Sequence, residues 1–127
     1  MRVSPWAPVV VWCAVIFAGS CMVGSPVPSP LWSDWLMRKS AHLTEYAILF
    51  LLARRAFAGG KVPPVFPGAW AFLFCVAYAA TDEYHQTFVP FRSGEARDVL
   101  IDAVGAALAS AVTSVTRSAL TPPNVRP

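Results

Sequence analysis

Residues 69–86 read AWAFLFCVAYAATDEYHQ, an apolar run that turns abruptly into a run of groups that ionise or hydrogen-bond. The apolar part, AWAFLFCVAYAA, covers only ~18 Å as a helix rising 1.5 Å per residue. A bilayer core is about 30 Å thick. The stretch reaches spanning length only if TDEYHQ continues the same helix, which predicts a helix over 68–88 ended by Pro90. Asp82, Glu83, His85 and Gln86 then sit at the end of a membrane helix. An ionisable group at membrane depth costs roughly 2.5 kcal/mol or more, so a cluster of them reads as a site.

The same pattern recurs on either side. Upstream, a helix over 37–57 has a central apolar part, AILFLLA, preceded by Lys39, His42, Glu45 and Tyr46. His42, Glu45, Tyr46 and Leu49 share one face at i, i+3, i+4 and i+7, and Arg38 joins it from four residues before His42. Downstream, a helix over 96–115 opens with Arg97, Asp98 and Asp102, and Asp98, Asp102 and Gly105 share a face. Its GAALASA stretch offers a small-residue face that a neighbouring helix can approach closely. The first helix, 6–23, has no charge. Pro8 falls in its first turn, where proline is tolerated. A signal peptide is the rival reading, and Ala18-Gly19-Ser20-Cys21 resembles a lipoprotein cleavage box without its leucine. The apolar run exceeds the usual signal-peptide core, which favours a span.

Between these helices lie breakers: GSPVPSP at 24–30, Gly59-Gly60 with Pro63-Pro64, and FRSGE at 91–95 with Gly94 as the turn residue. Trp32 and Trp35 suit a short amphipathic element at the water–lipid boundary, ahead of the second helix. The proline-rich tail, 121–127, is expected to be disordered. The expected fold is all-α: one polytopic membrane domain over 1–120, a bundle of four transmembrane helices.

Composition agrees. The 127-residue chain is 56% hydrophobic and 13% charged, with a mean hydropathy of +0.52. That charged fraction is about half the soluble average. A net charge of +3 does not point to nucleic acid, because the basic residues are scattered and form no stripe interleaved with aromatics. Cys13, Cys21 and Cys75 form no C-x-x-C pair and suggest no disulfide framework.

Four alternating spans put Arg2, Arg54, Arg55, Lys61, Arg117 and Arg126 on one side and Arg38, Lys39, Arg92 and Arg97 on the other. The side richer in Lys and Arg is cytoplasmic. Both termini are therefore expected inside, with the polar cluster facing the envelope.

Three chemistries fit the cluster. The pairs His42/Glu45 and Asp82/His85, spaced i, i+3, with Asp98 and Asp102, match the way some bundles hold a divalent metal, with Zn, Mn or Fe suited to the donors. Such a metal would activate water. Without a metal, His42, Glu45, Asp82, Glu83 and His85 are the candidate acid/base groups. Alternatively, Arg38, Lys39, Arg92 and Arg97 form a collar for an anionic headgroup, with carboxylates reading hydroxyls or amines; arginine's planar fork suits phosphate. The partners would then be membrane lipids, and the substrate an envelope lipid or lipid-linked glycan. Against all of these stands a non-enzymatic packing or partner-binding subunit, whose buried polar network only orients helices. The residues do not decide whether the chain is an enzyme, nor its oligomeric state.

The segments RKSAHLTEY at 38–46, DEYHQTFVPFR at 82–92 and DVLIDAVG at 98–105 together resemble the VanZ-like family of small integral membrane proteins. The family pattern falls on Lys39, His42, Tyr46, Asp82, Glu83, His85, Gln86, Pro90, Arg92, Asp98, Asp102 and Gly105. Two positions depart from it. Phe91 stands where a glycine is common, which is expected to stiffen that turn, and Asp102 stands where many members have asparagine. The resemblance implies a multi-spanning envelope protein, in a family named for a member that gives low-level resistance to the glycopeptide teicoplanin. It supplies no settled reaction. Combined with the charge pattern, it implies binding or modification of an anionic envelope lipid or lipid-linked cell-wall precursor. His42, Glu45, Asp82, Glu83 and His85 would do the chemistry. Lys39, Tyr46, Gln86, Arg92, Arg97, Asp98 and Asp102 would hold the substrate.

Overall fold

The computed structural model describes residues 4–22 and 31–120. Among them are four α-helices, α1 Ala7–Ser20, α2 Trp32–Ala58, α3 Pro67–Gln86 and α4 Ala96–Leu120, and no strand. The GSPVPSP breaker and the tail lie outside the described residues.

The TDEYHQ end of α3 is helical, and Pro67 occupies the first turn, where its missing N–H costs nothing. The second helix begins earlier than expected. Trp32 and Trp35 belong to α2 itself, not to a separate interfacial element. The segment 32–58 holds no glycine or proline, so nothing interrupts the helix before Gly59, whose N–H closes onto the Arg55 carbonyl at 2.9 Å. No glycine or proline falls between 106 and 121, and α4 runs on past 115 to Leu120.

The directions of the helices follow from their contacts. Trp6 near the start of α1 meets Phe57 near the end of α2, with ring centroids 4.9 Å apart. Phe57 in turn meets Trp70 at the start of α3, at 6.5 Å. At the opposite end, Cys21 just past α1 reaches His85 near the end of α3, and Lys39 of α2 pairs with Asp98 of α4. The chain therefore runs up, down, up, down. α2 packs most extensively on α4, α3 packs on both, and α1 lies against α2 and α3 only.

The core is a seam of small side chains. Ala53, Ala56, Ala71, Cys75, Ala79 and Ala106 are fully buried, with Tyr46, Leu49 and Phe50 beside them. Small side chains let helix backbones approach closely. At Gly105 the approach is extreme: a Cβ there would fall on the backbone carbonyl of Leu43 in α2. Gly94 plays a similar part, since a Cβ would strike the Glu83 carbonyl and the Thr87 methyl. Gly94 has no positive φ, so its role is the room it leaves and not unusual torsion.

The expectation of four membrane spans is met only at a coarser level. Among the described residues α4 alone, over Ala96–Ser118, is long and apolar enough to cross a membrane. α1 is apolar but has 14 residues, about 21 Å of helix. α2 and α3 carry charged ends that lower their mean hydropathy. What stands is an all-α bundle of four helices with one such span.

Candidate functional site

The polar groups of α2, α3 and α4 converge at one end of the bundle, where α1 and α3 end and α2 and α4 begin. The helix periodicity places them. On α2, Lys39, His42 and Tyr46 turn toward α4 in successive turns; on α4, Asp98 and Asp102 answer them four residues apart. Lys39 Nζ pairs with Asp98 Oδ1, both side chains half-buried. One turn deeper, His42 Nδ1 lies 3.3 Å from Asp102 Oδ1, and the Asp102 side chain is fully enclosed. That approach is close but not aligned as a hydrogen bond, since both atoms lack a partner of good geometry. Tyr46 is completely buried, and its hydroxyl also lacks a partner. Asp102 and Asp82 are its main electrostatic neighbours.

A second set joins α3 to α1 and to the α3–α4 connection. Ser20 donates to Asp82 Oδ2 at 2.7 Å, and the Gln86 amide donates to the same oxygen at 3.0 Å. The other oxygen, Asp82 Oδ1, is buried without a partner. Arg92 donates to the Gln86 side-chain oxygen at 3.1 Å and to the Gly19 carbonyl at 3.4 Å. Glu83 accepts the Glu95 backbone N–H at 3.0 Å and the Gln86 amide at 3.3 Å. Both Glu83 oxygens are therefore engaged, one holding the entry to α4 and the other the end of α3. Asp82, Glu83, Gln86 and Asp102 are all buried, in a protein whose other buried residues are almost all apolar.

Three further expected residues sit differently. Glu45 is half-buried and lines an open groove of about 340 Å³ between α1 and α2, with Trp12, Ser40, Ala41, Thr44 and Ile48. Its carbonyl accepts the Trp12 indole N–H at 2.9 Å, and His42, Asp102, Asp82 and Arg92 are its charged neighbours. His85 turns toward α1, its Nε2 3.4 Å from Cys21 Sγ and its ring 4.5 Å from that of Phe17. Arg97 stands apart: its side chain is 86% exposed and pairs with Glu95 at 3.6 Å. Among the described residues, no three His, Cys, Asp or Glu side chains converge to hold a metal ion, and no step is routed through one.

Sequence reasoning missed two contributors, Ser20 and Cys21. Both lie at the end of an otherwise apolar helix, and only the pairing of α1 with α3 brings them to the cluster. The fall from apolar residues to Gly19-Ser20-Cys21 was the one available signal.

Phe91 closes the site's loop with φ near 60°. This is the left-handed region, which costs a side-chain-bearing residue roughly 1–2 kcal/mol. The turn demands a conformation natural to glycine and imposes it on an exposed phenylalanine.

A family model described as VanZ/LLP1 matches residues 6–117, a range that contains α1, α2 and α3, most of α4 and every residue of the polar end. A search of curated proteins and a search of solved structures each returned no match.

Proposed function

The chain belongs to the VanZ/LLP1 family, and from that membership and the geometry of the polar end we propose that it is a multi-pass envelope protein that binds or modifies a phosphate-bearing lipid or lipid-linked cell-wall precursor. The observation that carries this reading is the convergence of Lys39, His42, Asp82, Glu83, Gln86, Arg92, Asp98 and Asp102 at one end of the bundle, with Asp82 Oδ1, both Asp102 oxygens and the Tyr46 hydroxyl buried without a hydrogen bond. Purely structural polar networks tend to satisfy their members, because an unpaired buried polar group costs about 1–3 kcal/mol.

The surface supports a membrane setting for the whole bundle. Leu100, Val104, Leu108, Val112 and Val115 form an exposed stripe on α4; Val10, Val11 and Val15 on α1, Leu51 on α2 and Leu73 on α3 are exposed as well. So much outward apolar area suits lipid better than water. Trp32, Trp35, Tyr84, Phe88 and Phe91 are exposed around the polar end, where an interfacial aromatic belt would lie. In this reading all four helices cross or enter the bilayer, both termini are cytoplasmic, and the polar end faces the envelope. Lys39, Arg92 and the outlying Arg97 meet the phosphate. His42, with Asp102 behind it, exchanges protons with the ligand. Asp82 and Gln86 position it, and Glu83 and His85 brace α4 and α1. Through the family, the reading extends to teicoplanin-type glycopeptide resistance.

Native mass spectrometry of the gently extracted protein tests the proposal. Discrete lipid adducts are expected, reduced at least several-fold in the folded fraction of the paired variant Arg92→Ala and Lys39→Ala. Adduct-free protein, or adducts indifferent to both substitutions, removes the reading. The second reading, a structural network, draws on the engagement of both Glu83 oxygens. It requires His42→Ala to lower stability without changing any lipid adduct.

A further inference from the structure

The charges of this chain are divided between the two ends of the bundle. Every aspartate and glutamate falls within residues 34–45 or 82–102, so the stretches 46–81 and 103–127 contain none. The end where α2 and α4 finish and α1 and α3 begin carries Arg54, Arg55, Lys61 and Arg117 instead. Among the described residues, no ion pair involves Arg54, Arg55 or Lys61. Arg55 and Lys61 are exposed. Arg54 is half-buried, and its Nε lies 4.0 Å from the position a Cβ would take on Gly68. Its side chain therefore reaches the start of α3, beside the α2–α3 loop.

That loop joins basic charge to apolar surface. Residues 59–66 read GGKVPPVF, and Val62, Val65 and Phe66 are 90%, 85% and 71% exposed. Trp70, in the first turn of α3, is exposed as well. Three large apolar side chains turned outward from one short loop are unfavourable in water. The backbone is also poor in donors. Pro63, Pro64 and Pro67 have no N–H, so half of residues 62–67 bring no donor that would need a partner on leaving water. Apolar tips, few amide donors and a neighbouring tryptophan suit the boundary between lipid headgroups and acyl chains. The adjacent cations specify which headgroups, because Lys and Arg beside a membrane are drawn to an anionic leaflet. A soluble polyanion would meet the cations but leave the apolar tips in water.

We propose that the 59–66 loop seats in the headgroup layer of an anionic leaflet, with Val62, Val65 and Phe66 reaching toward the acyl chains and Arg54, Arg55 and Lys61 meeting lipid phosphates. The partner is anionic phospholipid, held as a shifting population of headgroups and not as one discrete ligand. This rests on the membrane setting proposed above. It is independent of any ligand at the polar end, which lies at the opposite end of the bundle.

Hydrogen exchange of the full chain in nanodiscs tests the proposal, read by mass spectrometry of the peptide that spans the loop. In phosphatidylglycerol the loop is expected to exchange about tenfold more slowly than in phosphatidylcholine, which has no net charge. In the paired variant Arg55→Gln and Lys61→Gln the two lipids are expected to give the same rate. The lipid comparison itself uses the unaltered protein, so a folding defect in the variant does not blunt the test. Equal exchange in the two lipids, whether fast or slow, overturns the anionic assignment. So does a difference that persists in the variant, or loop protection that appears only when an oligonucleotide is added to the solution. In each of these cases a chain that co-elutes with the nanodisc leaves the membrane setting and the polar-end reading intact. A chain that co-elutes with neither nanodisc overturns the membrane setting as well.

Discussion

The two ends of this bundle are held together by different physics. At one end Trp6, Phe57, Trp70 and Phe74 meet edge to face or tilted, with centroids 4.9–6.5 Å apart. At the other, pairs such as Lys39–Asp98, Ser20–Asp82 and Gln86–Arg92 meet through directed bonds. Aromatic packing is broad and forgiving, worth about 0.5–1.5 kcal/mol per pair beyond burial. A buried polar network is exacting, because each member left alone carries its full desolvation cost. The aromatic end should therefore tolerate substitution better than the polar end. The contrast suits a protein in which one end anchors and the other works.

Substitutions can break that contrast, the severest first. His42→Ala removes the imidazole beside the fully enclosed Asp102 and leaves a buried carboxylate without a charged partner. A loss of about 3 kcal/mol is expected, seen as a lower midpoint in denaturant titration of the detergent-solubilised protein. Adding Asp102→Asn should recover more than half of it, because the amide has no charge to strand. If the double variant is as unstable as the single one, the pair is not coupled as its geometry suggests.

Next comes Gly105→Ala, which sets a methyl on the Leu43 carbonyl where α2 and α4 are closest. Backbone on both sides leaves little room to adjust, and about 2 kcal/mol should be lost. The readout is thermal melting, with increased labelling of Cys75 by a small maleimide as the seam loosens. Cys75 is now buried and unlinked to another cysteine.

Phe57→Leu probes the forgiving end. It removes one ring from the Trp6–Phe57–Trp70 set but keeps an apolar side chain. About 1 kcal/mol should be lost, with lipid adducts unchanged in mass spectrometry. An altered adduct pattern would show that the two ends communicate.

Phe91→Gly is the mildest change and has the opposite sign. Relief at φ near 60° outweighs the extra entropy glycine gives the unfolded chain, for a net gain of about 0.5 kcal/mol. Melting temperature should rise by a degree or two. A fall would mean that the exposed ring contributes contacts that outweigh its strain.

Much of this was legible before any coordinates. The helices announced themselves through apolar runs and breakers, and i, i+3, i+4 spacing put His42 with Tyr46, Asp82 with Gln86 and Asp98 with Asp102 on common faces. The three motifs at 38–46, 82–92 and 98–105 resembled a single family, and the family match over residues 6–117 agrees with that resemblance. Other features were out of reach of spacing. Glu83 and Asp82 are neighbours in the chain, yet one latches the α4 entry and the other faces Ser20. Arg97 and Asp98 are also adjacent, yet one is in the open and the other is paired across helices. A residue's face is a matter of periodicity, but what waits opposite that face is not.

The amino-acid order by itself determined four helices, their breakers and the crowding of ionisable groups toward one end of three of them, because helix geometry is local and follows from apolar spacing and from where glycine and proline fall. Only the tertiary structure decided that Ser20 and Cys21 join that end, that Glu45 opens onto a groove, and that Asp102 is sealed behind His42. Those outcomes depend on which helices pack together and how closely, and Gly105 against Leu43 sets that distance through contacts far apart in the chain.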